Sequence, residues 1–454
     1  RLDNQEKIFF FALSKDRAES ATMLEKPSMR GIKNSVVEKY SDQAHFIYEL
    51  LQNADDASAT SAKFVVEPTR LIFIHNGKRH FSVSDPAKEY DDSLAGHLGD
   101  INAITAIANS NKTEAAIGKF GVGFKSVFQY TSTPYIYDPK FCFMIDRFIV
   151  PKLLEEDHPC RKKHETLFLF PFNHPERDVE EAYGDISNKL RNLSFPLLFL
   201  SGLKEIEFHI DSGTGLYEKN VKKTFVYNNT IVEYICLIKK IDDEAYTENI
   251  LLFSRLDDCQ RRYSVGFFVD ADEHLKPVNE PAFCFFPTKE VTGLNFIIHA
   301  PFLLTDSREG IRAGVAHNDN MIELLANLAA DALEYMRDIG EKLSVRLIDD
   351  NIVKIIPIDQ EKFSLPSDKR KISFLPFFYV IKKKFKNTDL LPTKDGYVSP
   401  QDAYWASVPQ LPQLFSDAQL ADITDNENAH WVFITIGRDE VQRYNRALFT
   451  YIDS

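Results

Sequence analysis

Three glycines within six residues, Gly118, Gly121 and Gly123, constrain this chain more than any other feature, because they let backbone approach a ligand where a side chain would block it. The stretch reads GKFGVGFKS over 118–126, and an apolar run from Phe124 predicts a helix whose first N–H groups would face an anion. Two phosphate-binding templates fail by one position. A P-loop needs Lys directly after its second glycine, and here Phe124 stands before Lys125; the dinucleotide fingerprint needs a third glycine where Ser126 stands. The physical logic of a glycine-lined phosphate cradle survives without either template.

The 454 residues suffice for two or three domains, and 44% hydrophobic content with 36 Phe is a globular composition, not a disordered one. A formal charge of -13 argues against molecule-wide attraction to nucleic acid or anionic lipid. Cys142, Cys160, Cys236, Cys259 and Cys284 lack metal-ligand or disulfide-framework spacing, which points to a reducing compartment. No apolar run is long enough to cross a bilayer and no signal peptide opens the chain, so a soluble, cytoplasmic protein is expected. The start at Arg1 in place of Met raises the expectation of a fragment.

Along the chain, residues 1–27 predict a helical N-terminal arm. Val37, Tyr40, Ala44, Ile47, Leu51 and Ala54 recur at helical intervals and predict one amphipathic helix from about 33 to 57. Residues 62–75 read as a hairpin ending at Asn76-Gly77, and the polar stretch 82–116, with a short helix near 101–108, reads as a lid. Strands follow at 134–138, 141–146, 165–172 and 204–210, with a charged helix at 177–192 between the last two. From 222 to 304 a meander of short strands predicts a second α+β domain, closed by a helix over 319–342. The expected domains are 28–215, 216–345 and a small C-terminal region, 346–454, of no legible role. Lys369, Arg370, Lys371, Lys382, Lys383, Lys384 and Lys386 flank ISFLPFFYVI; the segment reads as a solvated strand with snorkelling lysines, nucleic-acid contact being the alternative. His299, inside an apolar strand, reads as a core residue.

On the 33–57 helix, Glu49, Asn53 and Asp56 follow one another at spacings of four and three, so they share a face. In order, ELLQNADDA (49–57), the hairpin with its glycine turn, GKFGVGFKS, Thr166 in HETLFLFPF and APFLLTDSRE (300–309) resemble the GHKL ATPase superfamily, the Bergerat fold of gyrase B, MutL, histidine kinases and the ninety-kilodalton heat-shock chaperones. Within it they are most similar to the sacsin and NO VEIN branch. The fold this implies is an α+β, Bergerat-type α/β sandwich followed by a transducer-like domain.

The resemblance implies ATP and Mg²⁺ as cofactors. Asn53 then supplies an amide oxygen to the metal, a hard cation that takes few protein ligands. Glu49, one turn earlier, orients and deprotonates water. Asp56 lines the nucleotide pocket, the backbone of Gly118, Gly121, Val122, Gly123 and Phe124 wraps the phosphates, and Ser110 and Lys112 stand where the superfamily makes further phosphate or ribose contacts. Thr166 is the last motif. The sequence departs from the superfamily at His75-Asn76-Gly77, where an Asp reads the adenine amino group. Either Asn76 accepts that hydrogen, or His75 packs at a strand end and Asp56 does the reading. Arg308 stands where a second-domain cation senses the terminal phosphate.

The function this implies is a slowly hydrolysing, chaperone-like conformational switch acting on an unidentified protein client, with a nucleotide-dependent dimer open. The rivals are the ATPase part of a DNA-processing or antiviral machine, in the manner of MutL or MORC proteins, and a pseudo-ATPase scaffold.

Overall fold

The computed structural model describes residues 2–38, 42–107, 122–305, 307, 309–363, 371–406, 408, 410–432 and 447–453. It divides into two units, Arg1–Asn220 with Leu237–Thr247 and Asp306–Arg308, and Val221–Cys236 with Glu248–Thr305 and Glu309–Ser454. Both are α+β.

In the first unit, helix α1 (Asn4–Leu24) opens on a capping box in which the Asp3 side chain accepts from the Glu6 amide and Glu6 answers the Asp3 amide. Helices α2 (Arg30–Val37) and α3 (Phe46–Asp56) occupy the stretch expected to be one helix. The correction has a local cause: Ala44 sits at φ 53, which no continuous α-helix allows, and its amide donates to the Tyr130 hydroxyl at 2.9 Å. Tyr40 of the expected stripe lies outside the described residues.

Strand β1 (Ser61–Glu67) alternates buried and half-buried positions, which puts Ala62, Phe64 and Val66 on the core face. It pairs antiparallel with β2 (Arg70–His75) in the register Ala62↔His75 to Glu67↔Arg70. Two short helices follow inside the expected lid, α4 (Glu89–Leu94) and α5 (Asp100–Ile104). Strands β3 (Tyr135–Tyr137), β4 (Cys142–Asp146), β5 (Val150–Leu153), β6 (Thr166–Pro171) and β7 (Glu205–Ile210) complete the sheet in the order β7-β1-β2-β6-β3-β4-β5, with α6 (Val179–Arg191) before β7. Only β1 and β7 in that order run parallel. Phe64, Phe73, Phe168 and Phe170 stack along the buried face, Phe64 and Phe73 with ring centroids 4.6 Å apart.

Strands β8 (Gly213–Tyr227), β9 (Thr230–Ile241) and β10 (Glu244–Leu256) are divided between the units, and at 15, 12 and 13 residues they correct the expectation of short strands. The second unit adds β11 (Arg262–Val269), β12 (Leu275–Lys276), β13 (Pro281–Cys284), β14 (Phe286–Val291) and β15 (Ile297–His299), ordered β14-β13-β15-β11-β10, with β12 on β11. Helix α7 (Ala316–Leu343) buries Ile322, Leu325, Leu328, Ala329 and Leu333, the expected face. Each fully buried leucine of that face contributes roughly 1.5–3 kcal/mol of transfer free energy.

The expected strand around ISFLPFFYVI is instead helix α8 (Leu375–Asn387). Phe377, Phe378, Ile381 and Phe385 recur at helical spacing and are buried against the α7 side of the core, which outweighs the β-propensity of the aromatics. The basic run does not form a uniform patch. Lys382 is buried over the Phe378 ring, Lys384 pairs with Asp331 and Glu334 of α7 at 2.8 and 3.1 Å, and Lys383 and Lys386 are exposed; Lys369 and Arg370 lie outside the described residues. His299 is fully buried and accepts the Phe285 amide at 3.0 Å.

Candidate functional site

Helix α3 turns Phe46, Ile47, Leu50, Leu51 and Ala54 into the core, so Glu49, Asn53 and Asp56 fall on its polar face. Opposite it runs a 3-10 helix, Val122–Gln129, that begins inside the glycine-rich stretch. A Cβ placed on Gly123 would collide with the Glu49 carboxylate, so the two segments meet where only glycine fits. The Gly123 carbonyl accepts from the Ser126 hydroxyl at 2.7 Å, which tightens this turn. Phe124 turns its ring inward, 6.3 and 6.2 Å from Phe168 and Phe170. Ser110, Lys112, Gly118, Gly121 and Arg308 lie outside the described residues.

The half-buried Asn53 side chain makes no hydrogen bond among the described residues, which leaves its amide oxygen available to a hard cation. Asp56 is exposed at the helix end. Desolvation by the surrounding protein and then the Asp55 charge push its carboxyl up to about 7, Glu49 adding to the push and Arg79 opposing it; solvent at the tip screens the effect. Its neighbour Asp55 does a different job, accepting the backbone amides of Ser201, Gly202 and Leu203 at 3.0, 2.7 and 2.9 Å. Sequence reasoning passed over it because nothing in ADDA tells the two aspartates apart.

At the other end of the site, Gly77 approaches so closely that a Cβ would stand 2.8 Å from both Ala57 Cβ and His75 Nδ1. His75 is buried, its Nδ1 accepts the Gly77 amide at 3.1 Å, and desolvation, with the charge of His80, pulls its imidazole down to about 4. It is therefore a neutral packing residue. The Asn76 oxygen accepts the Thr60 and Ser61 amides at 2.9 and 3.0 Å, and its nitrogen donates to Thr60 Oγ1 at 2.8 Å. Both lone pairs of the oxygen expected to accept a base amino group are thus committed to the chain itself.

Thr166 faces His75 across the β2–β6 register and donates to the buried Asp138 carboxylate at 2.8 Å. Asp138 also accepts the Lys140 amide at 3.0 Å and stands 3.2 Å from His80 Nδ1. Asp138 and His80 went unremarked in the sequence; the only signal was the Asp closing the strand PYIYD. Lys125, beside the glycines, is fully buried with its Nζ 3.0 Å from the Phe148 carbonyl and 4.7 Å from the Phe148 ring. Burial holds its amine well below the usual lysine range.

The segment expected as a lid is fastened at its described part. Arg17 of α1 donates to Glu89 at 2.6 Å and to Thr105 Oγ1 and the Asn102 carbonyl at 3.3 Å each, and Asn102 bonds Glu89 at 2.9 Å. Arg79 pairs with Asp100. Among the described residues no group of three or more His, Cys, Asp or Glu is arranged to hold a metal by itself, and no helix is long and apolar enough to cross a membrane.

The Sacsin domain family matches residues 25–156, a span that holds α2, α3, the β1–β2 hairpin and the glycine-rich stretch. The chain is thus similar to the Sacsin domain over that span and to the sacsin and NO VEIN proteins. Protein NO VEIN of Arabidopsis thaliana is 27% identical over 335 residues, 65% of this chain and 11% of that protein. Sacsin of Homo sapiens is 33% identical over 126 residues, 25% of this chain and 3% of that protein. The chain spans only a small part of either relative. Among solved structures, a topoisomerase IV ATP-binding domain of Francisella tularensis, in complex with a small-molecule inhibitor, shares 15% identity, covers 41% of this chain and 88% of its own and gives a TM-score of 0.27, too low to argue from.

Proposed function

We propose that the first unit binds ATP with Mg²⁺ between α3 and the glycine-rich stretch and hydrolyses it slowly. The observation that carries this reading is the Glu49 carboxylate lying against Gly123, with the Asn53 amide, unengaged among the described residues, one turn away on the same helix face. The residues fit the group: a glycine where any Cβ would collide, a neutral oxygen donor for the cation and a carboxylate beside both. When bound, Mg²⁺ supplies charge neutralisation on the phosphates. Asn53 holds it through its amide oxygen, Glu49 orients a water and takes its proton, and Asp56 lines the pocket at the C-terminal end of α3.

The output of this reading is conformational and chaperone-like, acting on a protein client, and Arg308 is its candidate sensor of the terminal phosphate. The sacsin likeness supports the client. The five free cysteines support a reducing, cytoplasmic setting. One observation favours the pseudo-ATPase scaffold as a second reading. His75 is buried and neutral and the Asn76 oxygen is fully used, so neither replaces the missing base-reading Asp.

Two substitutions separate the readings. Glu49→Ala retains ATP binding by calorimetric titration while phosphate release falls by about 10²–10⁴-fold. Asn53→Ala loses the Mg²⁺-dependent part of the binding. Turnover by Glu49→Ala equal to that of the unaltered protein removes Glu49 from the role of base, and no heat from ATP, ADP and Mg²⁺ at high protein concentration selects the scaffold.

A further inference from the structure

The second unit contains an open cleft of about 630 Å³, within the size range of small-molecule sites. Lys289, Lys362 and Lys371 line it, and Phe363, Ile372 and Phe374 supply apolar wall. Among the described residues Lys362 and Lys371 form no ion pair, so two exposed ammonium groups face the cleft without a carboxylate partner in a chain of net charge -13.

The opposite wall is formed by Glu309 and Gly310, on the returning arm of a hairpin that begins at Thr305. The hairpin is closed by the Thr305 amide donating to the Gly310 carbonyl at 2.8 Å and by the Leu304↔Ile311 bridge. Three contacts fasten it to β14, the edge strand of the unit: the Lys289 amide donates to the Glu309 carbonyl at 2.6 Å, Lys289 Nζ pairs with the Glu309 carboxylate at 2.8 Å, and the Ile311 amide donates to Glu290 at 3.0 Å. The Glu290 charge is thereby turned to the hairpin. The Lys289–Glu309 pair is largely exposed, 53% and 30%, and an exposed pair of this kind is easily exchanged for a better anion.

We propose that this cleft binds a small ligand with an apolar body and one anionic group, a phosphate ester or a carboxylate, that takes the place of Glu309 on Lys289 and loosens the 309–311 arm of the hairpin from β14. Lys362 and Lys371 supply the remaining positive charge, and Phe363 and Phe374 receive the body. Lysine serves such a site as a point charge that tolerates either anion. This binding stands apart from the nucleotide reading of the first unit.

The test uses the full chain without nucleotide or Mg²⁺, titrated with phenyl phosphate, benzoate and inorganic phosphate by calorimetry, with amide hydrogen exchange followed over 304–312. Phenyl phosphate or benzoate is expected to saturate at least tenfold more tightly than inorganic phosphate, and the tighter of the two names the anion. The double variant Lys362→Gln/Lys371→Gln weakens that binding at least tenfold. Exchange at the Ile311 amide rises on binding, and Glu309→Gln raises it without ligand. Absence of saturable binding, or binding indifferent to the double variant, overturns the site; unchanged hairpin exchange in the bound protein and in Glu309→Gln overturns the displacement.

Discussion

Lys125 in the first unit and Lys384 in the second are lysines of helical segments, and their ammonium groups are treated in opposite ways. Lys125 meets a backbone carbonyl and the rings of Phe128 and Phe148, with no carboxylate pairing it among the described residues. Lys384 lies between Asp331 and Glu334, and Asp331 is shared with Arg255 at 2.8 Å. Burial drives the Lys125 amine down; for Lys384 burial pulls the same way, but the two carboxylates outweigh it and raise the value. Asp55 is the acidic counterpart of Lys125, held by three backbone amides instead of a cation. The first unit thus fixes these two charged groups through backbone, while Glu49 lies against Gly123 and Asp56 is exposed. The second unit balances charge against charge around α7 and α8.

The largest break in this comparison comes from Asp55→Ala. It strands three amides and costs on the order of 4 kcal/mol of stability by chemical denaturation; a cost below about 1 kcal/mol would show that water replaces the carboxylate freely. Next is the alkaline branch of the stability curve. The protonated Lys125 is penalised in the folded chain and not in the unfolded one, so the folded state binds fewer protons in the window below the ordinary 10.5. Stability therefore rises with pH across that window, by up to about 1.4 kcal/mol per pH unit, and Lys125→Met removes the rise. A slope unaltered by the substitution would mean that the amine is charged in the folded protein. The smallest effect is that of Lys384→Ala, about 1 kcal/mol, because Asp331 keeps Arg255. A loss as large as that of Asp55→Ala would erase the contrast between the units.

Much of the architecture was legible. The β1–β2 hairpin, the strands at 135–137, 142–146, 166–171 and 205–210, and the 316–343 helix follow from alternation and helical spacing that burial enforces. The polar face of α3 was legible for the same reason. The break at Ala44 was not, because it depends on the Tyr130 hydroxyl, 86 residues away in sequence. Nor was α8, whose aromatics fit a strand as well as a helix until α7 supplies the surface they cover.

By itself, then, the sequence determined which residues share a face and where backbone must come close: Glu49 with Asn53 and Asp56 by spacing, Gly77 and Gly123 by the lack of a side chain. Spacing fixes direction on one element and says nothing of what lies opposite. Only the tertiary structure decided that Asp55 anchors a loop while Asp56 meets solvent, that Asn76 spends its oxygen on Thr60 and Ser61 while Asn53 bonds nothing among the described residues, and that Lys125 is buried while Lys384 is paired. The fate of a polar group is set by partners that the fold brings from distant positions.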